Sequence, residues 1–425
     1  MKKVTVVGLG KIGLPLATVF ANSGSFFVYG ADKNENVIKQ VNSGISHIKN
    51  EPGVQELLRS AKQKGLLNCT TNTTKAVSNS DVVVVIVPVL LNDQNEIDYQ
   101  YIDSAVEDIG KGIQKNTLVI FETTIPTGDT RNRFGKKIEE LSGFQMGKDF
   151  YLAYSPERVY SNRIIQDLQT YPKIVSGYND RSLKIATEFY KEAIGCDVLQ
   201  VSSLETAEFT KVAEATYRDV NIALANELAV FGEKYGVNIK EVIKAANSEP
   251  FSNIHNPGVG VGGHCIPVYP YFFINKGLDK GLVTLSREMN DNMAAYAVTK
   301  IENIHTSLKH SKILILGLSF RENVKEATRS STQLLINELK KREATVFVDD
   351  PYFTANEISK YEVIPFSKEA IEQIEIVVIQ AFHSEYMSIN FAEFTNCKLI
   401  LDGRNVLSKE EIEKLGIRYV GIGTS

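Results

Sequence analysis

A glycine-rich stretch in the second half of the chain contains the residue with the clearest capacity for covalent chemistry. Residues 258–272 read GVGVGGHCIPVYPYF and hold Cys265, one of four cysteines in the chain. Closely spaced glycines let backbone amides approach a ligand, and amides near a sulfur favour the thiolate, the nucleophilic form of cysteine. An isolated cysteine is more often a small buried apolar residue, and we interpret Cys69, Cys196 and Cys397 in that way. The residues alone leave both interpretations of Cys265 open.

The start of the chain carries a second glycine motif, of the kind that binds phosphates. It reads Gly8-Leu9-Gly10-Lys11-Ile12-Gly13, directly after an apolar run and directly before a helical pattern. The first glycine makes a tight turn, the second admits a pyrophosphate, and the third lets the helix pack on the strand. Asp32, at the end of the next predicted strand, would bind a ribose 2′-hydroxyl and repel a 2′-phosphate. These residues predict NAD as the cofactor, and the alternative is a structural turn beside a surface aspartate.

Alternating strand and helix patterns surround the first motif and predict the elements that position it. The predicted strands there are residues 3–7, 26–29, 82–87, 118–121 and 151–154. Their alternation with helical patterns indicates a doubly wound parallel sheet. A long helical pattern then covers residues 203–235, and a second α/β pattern begins at residue 312. We therefore predict an α/β fold with two Rossmann-like doubly wound domains, joined by a central helical region with a long helix. The predicted domains are residues 1–200, 201–307 and 308–425.

Composition narrows the class of protein and of partner. The chain has 425 residues, of which 43% are hydrophobic and 23% charged, and its formal net charge is −4 with no basic block. This balance predicts a soluble globular protein and argues against nucleic acid as a partner. The longest apolar run, at residues 82–91, is too short to cross a membrane. Cysteines without paired spacing indicate neither disulfides nor a metal site, so we expect a cytoplasmic protein.

Several longer motifs are specific enough to indicate a family, and they occur along the whole chain. They read VVGLGKIGLPLA near the start, FETTIPTGDT at 121–130, SPERV at 155–159, TKVAEATYRDVNIALANELA at 210–229, GVGGHCIPV at 260–268, LGLSFRENV at 316–324 and LDGRNVL at 401–407. In these motifs the chain resembles the UDP-glucose/GDP-mannose dehydrogenase family, and SPERV and GGHC are similar to its branch acting on UDP-N-acetylhexosamines. The resemblance implies that residues 308–425 bind a UDP-sugar, and that the long helix forms a homodimer.

The resemblance also implies a reaction, with two successive NAD-dependent oxidations at C6 of a UDP-N-acetylhexosamine of the ManNAc or GlcNAc type. Cys265 would trap the aldehyde as a thiohemiacetal, whose oxidation gives a thioester that water hydrolyses. Thr124 and Glu157 match the family's water-binding and acid/base positions, and Lys211 matches the lysine that stabilises the oxyanion. The product, a UDP-hexosaminuronate, would feed the synthesis of surface polysaccharide.

Further contacts to substrate and cofactor follow from the same resemblance. Arg321 lies where the family has a basic residue for the nucleotide phosphates, and Arg404 matches an arginine that contacts the UDP-sugar. Guanidinium groups suit a diphosphate because their donors fork to two oxygens. Arg329 and Thr124 match positions near the cofactor. The positions implied to bind substrate are Glu157, Arg158, Lys211, Asn253, Gly262, Arg321 and Arg404.

Four departures from the family pattern bear on this interpretation. Ala215 replaces an asparagine that completes the oxyanion site, and Tyr269 replaces an aspartate that follows the cysteine. Residues 87–90 lack a threonine of the family's VPTP signature, and residues 249–253 lack an arginine that reaches the neighbouring subunit's substrate. Because the cysteine, the lysine and the glycine loop are kept, we interpret the chain as a divergent subgroup.

Three alternative functions stay open at this point. One is a UDP-glucose 6-dehydrogenase, which would share the chemistry but not the sugar. Another is a single-step β-hydroxyacid dehydrogenase, which would need neither Cys265 nor residues 312–425. The third is a non-catalytic UDP-sugar-binding relative, which would tolerate Ala215 and Tyr269. The amount of NADH formed per sugar separates the last two from a four-electron oxidation.

Overall fold

The computed structural model describes residues 1–49 and 51–424, and they form two compact units. Unit 1 comprises Met1–Glu214 and Tyr271–Lys276, and unit 2 comprises Ala215–Pro270 and the chain from Gly277 onward. The two-unit division rests on compactness, so the predicted three-domain division stays a prediction.

Unit 1 is built on short apolar strands and the helices that cover them. Its strands are β1 (Lys2–Val7), β2 (Phe26–Ala31), β3 (Leu67–Thr70), β4 (Val82–Val85), β5 (Leu90–Leu91), β6 (Ile97–Asp98), β7 (Leu118–Phe121), β8 (Tyr151–Tyr154), β9 (Lys173–Gly177) and β10 (Val198–Gln200). Its helices are α1 (Gly13–Asn22), α2 (Glu35–Asn42), α3 (Val54–Gln63), α4 (Thr73–Ser78), α5 (Gln100–Gly112), α6 (Lys136–Ser142), α7 (Ile164–Thr170) and α8 (Asp180–Ala193). A π-helical turn, Thr130–Gly135, precedes α6.

The main sheet of unit 1 has the strand order β10-β9-β8-β7-β4-β1-β2-β3. Its neighbouring strands run parallel, except that β9 runs antiparallel to β8. Central strands such as β4 are buried along their whole length because helices cover both faces. The chain winds outward in both directions from the β1–β4 pair, so a crevice opens at the carboxyl ends of these two strands.

Two helices contain the points at which the chain passes from one unit to the other. They are α9 (Leu204–Glu233), of 30 residues, and the short α11 (Pro270–Ile274). Between them lies α10 (Ile239–Ala246), whose first turn is capped by the side chain of Asn238. The predicted long helix is therefore present, and it begins one residue later and ends two residues earlier than the predicted 203–235.

Unit 2 contains a second parallel sheet. Its strands are β11 (Lys312–Leu316), β12 (Thr345–Asp349), β13 (Ile364–Pro365), β14 (Ile376–Ile379), β15 (Leu399–Asp402) and β16 (Arg418–Gly421). The remaining α-helices are α12 (Leu282–His305), α13 (Ser331–Lys341), α14 (Ala355–Ser359) and α15 (Lys409–Lys414), and 3-10 helices span Lys368–Gln373, Ser384–Ser388 and Phe391–Glu393. The strand order is β13-β12-β11-β14-β15-β16, so the winding direction changes beside β11. The predicted fold class, with two Rossmann-like sheets and a helical middle, is confirmed.

Candidate active site

The glycine turn of unit 1 lies at the crevice between β1 and β4. Gly8 has a φ of 94°, in the left-handed region, and its N–H donates to Ala31 O at 2.8 Å. A Cβ on Gly13 would lie 1.8 Å from Gly8 O, so only glycine lets α1 approach the strand. No atom lies within 4 Å of a Cβ placed on Gly10, which leaves open space above the turn. These residues fit a dinucleotide, whose pyrophosphate would meet the N-terminus of α1.

Asp32 is held beside this turn by backbone donors. Its Oδ2 accepts a hydrogen bond from Leu9 N, and its Oδ1 accepts one from Asn34 N, each at 2.8 Å. A carboxylate oxygen has more than one lone pair, so both oxygens retain capacity for a ligand hydroxyl. The turn and its acidic partner, predicted from separate parts of the sequence, therefore lie together.

Replacing Asp32 by alanine is expected to weaken NAD binding by about tenfold to a hundredfold, because a hydrogen bond to a charged group contributes about 1.5–3 kcal/mol. Discrimination against NADP should also fall, since the charge that repels its 2′-phosphate is lost. Fluorescence titration with both cofactors measures the two dissociation constants. Asp32→Asn keeps an acceptor for Leu9 N and isolates the effect of charge, and Asp180→Ala is an exposed control. An unchanged NAD/NADP ratio in both Asp32 variants would contradict the assignment.

Thr124 and Glu157 follow neighbouring strands of the same sheet. β7 and β8 are parallel, with Phe121 paired to Tyr154, so the loops after them leave the same edge. The backbone of Glu157 donates to Glu122 O at 3.2 Å, which joins the two loops directly. Thr124 is 6% exposed. The predicted water-binding and acid/base residues thus stand on adjacent loops at the carboxyl edge.

A buried carboxylate on α9 holds the loop that contains Thr124. Glu208 is fully buried and accepts hydrogen bonds from Gly128 N at 2.5 Å and Thr130 N at 2.8 Å. Burial raises the pKa of Glu208 to about 7, although the backbone donors favour its charged form. Lys211 lies one helical turn further on; it is half-buried and forms no hydrogen bond or ion pair with any residue that the structure describes. Its ammonium is therefore free to face a ligand oxygen.

Glu157 also belongs to a buried cluster of charges that the sequence did not predict. Lys173 Nζ lies 2.5 Å from Glu157 Oε2 and 2.7 Å from Glu122 Oε2. Tyr190 donates its hydroxyl to Glu122 Oε1 at 2.7 Å. Burial raises the pKa of Glu122 to about 7. Burial also opposes ionisation of Glu157, but the Lys173 ammonium and hydrogen bonds from Glu122 and Arg158 N together lower the pKa of Glu157 below its usual value.

Arg158, predicted to bind substrate, already has two protein partners. Its guanidinium pairs with Glu214 at 3.0 Å and donates to Pro172 O at 2.7 Å. Glu214 is part of the α9 motif, one residue before Ala215. The structure thus gives Arg158 an internal role beside the Glu157 loop, and its substrate contact stays a prediction.

The glycine loop of unit 2 packs on the loop that follows β11. A Cβ on Gly262 would lie 2.7 Å from Phe320 Cβ and 2.8 Å from Arg329 O. Gly260 and Gly263 have φ of 133° and 100°, which side chains rarely adopt, and Gly263 N donates to Thr328 O at 2.9 Å. Glycine is required here because backbone lies directly against backbone.

Cys265 stands at the end of this loop and is the exposed cysteine of the four. Its carbonyl accepts hydrogen bonds from Val268 N at 3.1 Å and Tyr269 N at 2.9 Å, which begins the turn into α11. The other three sulfurs are buried, and burial raises the pKa of Cys69 to about 12 and of Cys397 to about 11. Exposure therefore separates the predicted nucleophile from the cysteines interpreted as apolar.

The predicted arginines of unit 2 lie near the glycine loop or near the loop after β11, on which it packs. A Cβ on Gly258 would lie 3.0 Å from Arg404 Nη1, and Arg404 itself donates to Gln380 O and to Phe320 O. Burial lowers the pKa of Arg404. Arg321 lies 5.8 Å from the centre of the Phe320 ring. The three predicted arginines of unit 2 are thus all on or against the loop after β11, and Arg329, at the far end of that loop, has a φ of 46°.

A buried aspartate and histidine fix the loop that carries Arg321, and the sequence did not predict either. Asp350 Oδ2 accepts from Leu318 N at 2.9 Å and lies 3.1 Å from His383 Nε2. Asn323 N donates to His383 Nδ1 at 2.9 Å, so the neutral ring carries its proton on Nε2. Asp350 directly follows β12, and an acidic residue at the carboxyl end of a predicted strand was the sequence signal that could have indicated it.

Asn253, also predicted to bind substrate, lies outside these contacts. Its side chain is exposed, and its carbonyl accepts from Asn221 Nδ2 at 2.8 Å. The segment that departs from the family pattern is therefore attached to the middle of α9.

Among the described residues, no group of three or more His, Cys, Asp or Glu side chains is arranged to hold a metal ion. Within the same residues, no helix has the length and apolar character needed to cross a membrane.

Comparison with known proteins agrees with this geometry. Models of the UDP-glucose/GDP-mannose dehydrogenase family match the chain three times, with the NAD binding domain at residues 2–194, the central domain at 205–292 and the UDP binding domain at 314–409. UDP-N-acetyl-D-mannosamine dehydrogenase of Pyrococcus horikoshii is 33% identical over 429 residues, which cover 99% of each chain.

Two solved structures show the same architecture over almost the whole chain. UDP-D-ManNAc dehydrogenase from Pyrococcus horikoshii has a TM-score of 0.89 at 31% identity, with 99% of each chain covered. NDP-N-acetyl-D-galactosaminuronic acid dehydrogenase from Methanosarcina mazei Go1 has a TM-score of 0.86 at 29% identity, with 100% of this chain and 96% of that chain covered. The predicted family, enzyme class and cofactor are confirmed: the chain belongs to the UDP-glucose/GDP-mannose dehydrogenase family and is an NAD-dependent oxidoreductase of nucleotide sugars.

Proposed function

We propose that this enzyme oxidises a UDP-N-acetylhexosamine, of the ManNAc or GlcNAc type, at C6 to the UDP-hexosaminuronate. The observation that carries the proposal is Cys265, exposed at the end of a glycine loop that packs on the loop after β11. A relative named for ManNAc and a solved structure named for an N-acetylgalactosaminuronic acid both support the amino-sugar class. We place the reaction in the cytoplasm, where the product would supply surface polysaccharide synthesis.

The first oxidation converts the C6 alcohol to an aldehyde and releases a proton. NAD, when bound, accepts the hydride in each of the two oxidations. Glu157, whose pKa is lowered through Lys173, is ionised near neutral pH and is the proposed acceptor of the hydroxyl proton, with Thr124 holding a water beside it. Lys211 places an unpaired ammonium toward the oxygen on which negative charge develops.

The second oxidation needs a tetrahedral carbon, and Cys265 supplies it. Its thiolate adds to the aldehyde carbon and the oxygen takes a proton, which gives a thiohemiacetal. Loss of the hydride from that carbon and of the proton from its hydroxyl oxygen forms the carbonyl of a thioester. Water then adds to the thioester, the carbon–sulfur bond breaks, and the carboxylate and the free thiol remain. In sum, two hydrides leave each sugar.

Ala215 removes one donor that the family uses for the oxyanion. Loss of one such donor costs about 10²–10³ in rate where nothing replaces it. Ala215 is 6% exposed, so its methyl group is packed and is not beside open solvent. Lys211 therefore has a larger share of the charge stabilisation here than in relatives that keep the asparagine.

The test is the amount of NADH formed from limiting UDP-GlcNAc, UDP-ManNAc, UDP-GalNAc and UDP-glucose in turn. Two NADH per sugar on one amino sugar supports the proposal and identifies the substrate. Two NADH on UDP-glucose alone would favour the alternative sugar. One NADH per sugar would contradict the thioester step. Binding of a UDP-sugar without formation of NADH would favour a non-catalytic relative.

We also propose a homodimer formed through α9. Large apolar side chains recur along one stripe of the helix and are exposed: Phe209 at 52%, Tyr217 at 54%, Leu224 at 45% and Phe231 at 54%. A spacing of seven or eight residues is typical of helices that pack against a partner helix. Large exposed apolar side chains that recur along one side of a helix support a protein interface there.

Charge on this stripe is expected to separate the dimer. The double variant Tyr217→Glu/Leu224→Glu should elute as a monomer at micromolar concentration, because the two carboxylates would have to be buried against the partner. Light scattering after size exclusion measures the mass, and circular dichroism verifies the fold. Met387→Glu, at an apolar residue that is 79% exposed elsewhere, is the control and should leave the mass unchanged. A wild-type monomer would contradict the proposal.

A further inference from the structure

The charge cluster at the end of β8 contains more buried charge than the proposed chemistry requires. The side chains of Glu122, Lys173 and Glu157 are 0%, 6% and 12% exposed. Burying charges is costly unless they are paired and hydrogen-bonded. The distances of 2.7 Å and 2.5 Å from Lys173 Nζ to the two carboxylates show that one ammonium serves both.

The direction of one strand explains why Lys173 reaches this edge. β9 is antiparallel to β8, with Tyr154 paired to Ser176, so the first residue of β9 lies beside the carboxyl end of β8. In a wholly parallel sheet the same residue would lie at the opposite edge. The reversal therefore brings a lysine from the start of a strand to the loops after β7 and β8.

A single ammonium neutralises one carboxylate, so the second carboxyl group must carry a proton or an uncompensated charge. Glu122 is the more buried of the two, and burial raises its pKa to about 7. Glu157 accepts an additional hydrogen bond from Arg158 N at 2.8 Å, which favours its charged form. The proton of the pair is therefore on Glu122 below neutral pH, and the negative charge is on Glu157.

The groups around the cluster do not disturb this assignment. Tyr190, from α8, donates to Glu122, and burial raises the pKa of Tyr190 well above its usual value. Burial also raises the pKa of Cys196, which precedes β10. The guanidinium of Arg158 is paired with Glu214 of α9. On the α7 side, Asp167 is paired with Arg163 at 2.9 Å and accepts from Tyr160 N at 2.9 Å.

A small pocket open to solvent joins the cluster to water. It is lined by residues that include Pro156, Glu157, Tyr171 and Lys173. Glu157 therefore has a buried side, toward Glu122, and a side that lines this pocket.

We propose that Lys173 is a positioning residue for the oxidation, which holds the Glu157 carboxylate ionised and oriented while Glu122 carries the proton of the pair. The inference rests on the proposed function, because it assigns Glu157 as the acceptor of the substrate proton. It adds a lysine and a second glutamate that act through Glu157 and do not touch the substrate.

The pH profile of kcat/KM for the sugar tests the proposal. In Lys173→Met the acidic limb should move upward by at least about one pH unit, because two carboxyl groups without a cation share a proton and one pKa rises strongly. Lys173→Arg keeps the charge and should return the limb toward wild type. A loss of rate by the same factor at every pH, in both variants, would show a merely structural role. Lys111→Met, at an exposed lysine of α5, is the matched control.

A second measurement needs no substrate and keeps the charge assignment testable if Lys173→Met fails to fold. The folded-state pKa of Glu122 is raised to about 7. Glu122 therefore contributes stability to the wild-type protein that is fully present below the usual glutamate pKa of 4.5, and this contribution is lost as the pH rises through 7. Glu122→Gln fixes the neutral state. The melting temperature of Glu122→Gln minus that of the wild type should therefore be larger at pH 8 than at pH 6. A difference that is constant with pH would overturn the assignment of the proton to Glu122.

The two proposals fail in distinguishable ways. If wild type forms no NADH from any sugar, the proposed function fails, and the melting experiment still reports on Glu122. If wild type forms two NADH per sugar while Lys173→Met keeps the wild-type acidic limb, the function stands and the role of Lys173 is wrong. Calorimetric titration of NAD and UDP in each variant verifies that both ligands still bind.

Discussion

Cys265→Ser is expected to reduce the rate of acid formation by at least about 10³-fold, because a serine hydroxyl without an activating base does not replace a thiolate. The stoichiometry should fall from two NADH per sugar to one at most, since the second oxidation requires the sulfur adduct. UDP binding, measured by calorimetry, should stay within a few-fold of wild type. Full acid formation by the serine variant would remove the thioester mechanism.

Alkylation gives an independent measurement on the wild-type protein. Iodoacetamide should modify Cys265 first, because it is exposed while the sulfurs of Cys69, Cys196 and Cys397 are buried and their pKa values are raised by burial. Peptide mass spectrometry locates the label, and NADH formation should fall in proportion to labelling at Cys265. Cys196→Ala is the control, and it should leave both the labelling and the reaction intact. Labelling of Cys265 without loss of NADH formation would contradict its role.

Lys211→Met is expected to reduce kcat by about 10²–10³, the range observed when one donor to a developing oxyanion is removed. The loss of kcat should lie toward the upper end of this range, because Ala215 cannot supply the side-chain amide that the family has near the lysine. Lys211→Arg keeps the charge with a different reach and should retain more activity than the methionine variant. Steady-state kinetics with the sugar identified by NADH yield measures kcat and KM separately.

The control for this prediction is Lys184→Met, at an exposed lysine of α8 in the same unit. A loss of kcat with little change in KM would place the lysine in the transition state. An equal rise in KM with unchanged kcat would instead assign it to ground-state binding. Unchanged kinetics in Lys211→Met would exclude it from both roles.

Local sequence pattern predicted the elements that need few distant partners. Strands 118–121 and 151–154 occur at the predicted residues, because a run of buried β-branched and aromatic residues between turn residues is a local signal. The predicted strand 82–87 ends earlier, at Val85, where the chain leaves the sheet beside the glycine turn. Within the second α/β pattern predicted from residue 312, α13 begins at Ser331 because the Ser330 side chain accepts from Thr332 N and caps it.

Motifs likewise indicated the glycine turn of unit 1 as a cofactor site and the glycine loop of unit 2 as the setting of Cys265. The positive φ of Gly8 and the approach of Gly13 to Gly8 O belong to the β–α turn itself, so a short pattern records them. The close approach of Gly8 to Ile86, after β4, is a tertiary contact that the motif does not record. The resemblance then supplied candidate roles for Cys265, Lys211 and Glu157, which the residues alone did not distinguish from structural ones.

Tertiary structure alone decided which charges accompany these residues. Lys173 joins Glu157 and Glu122 because β9 reverses direction, and the hydrophobic pattern of a buried strand is the same in either direction. Glu208 reaches Gly128 and Thr130, and Asp350 reaches Leu318, across separations that no local pattern records. The spacing of apolar residues along the sequence predicts which side of a helix or strand is buried. The pairing of buried charges depends instead on which helices and strands become neighbours in the fold.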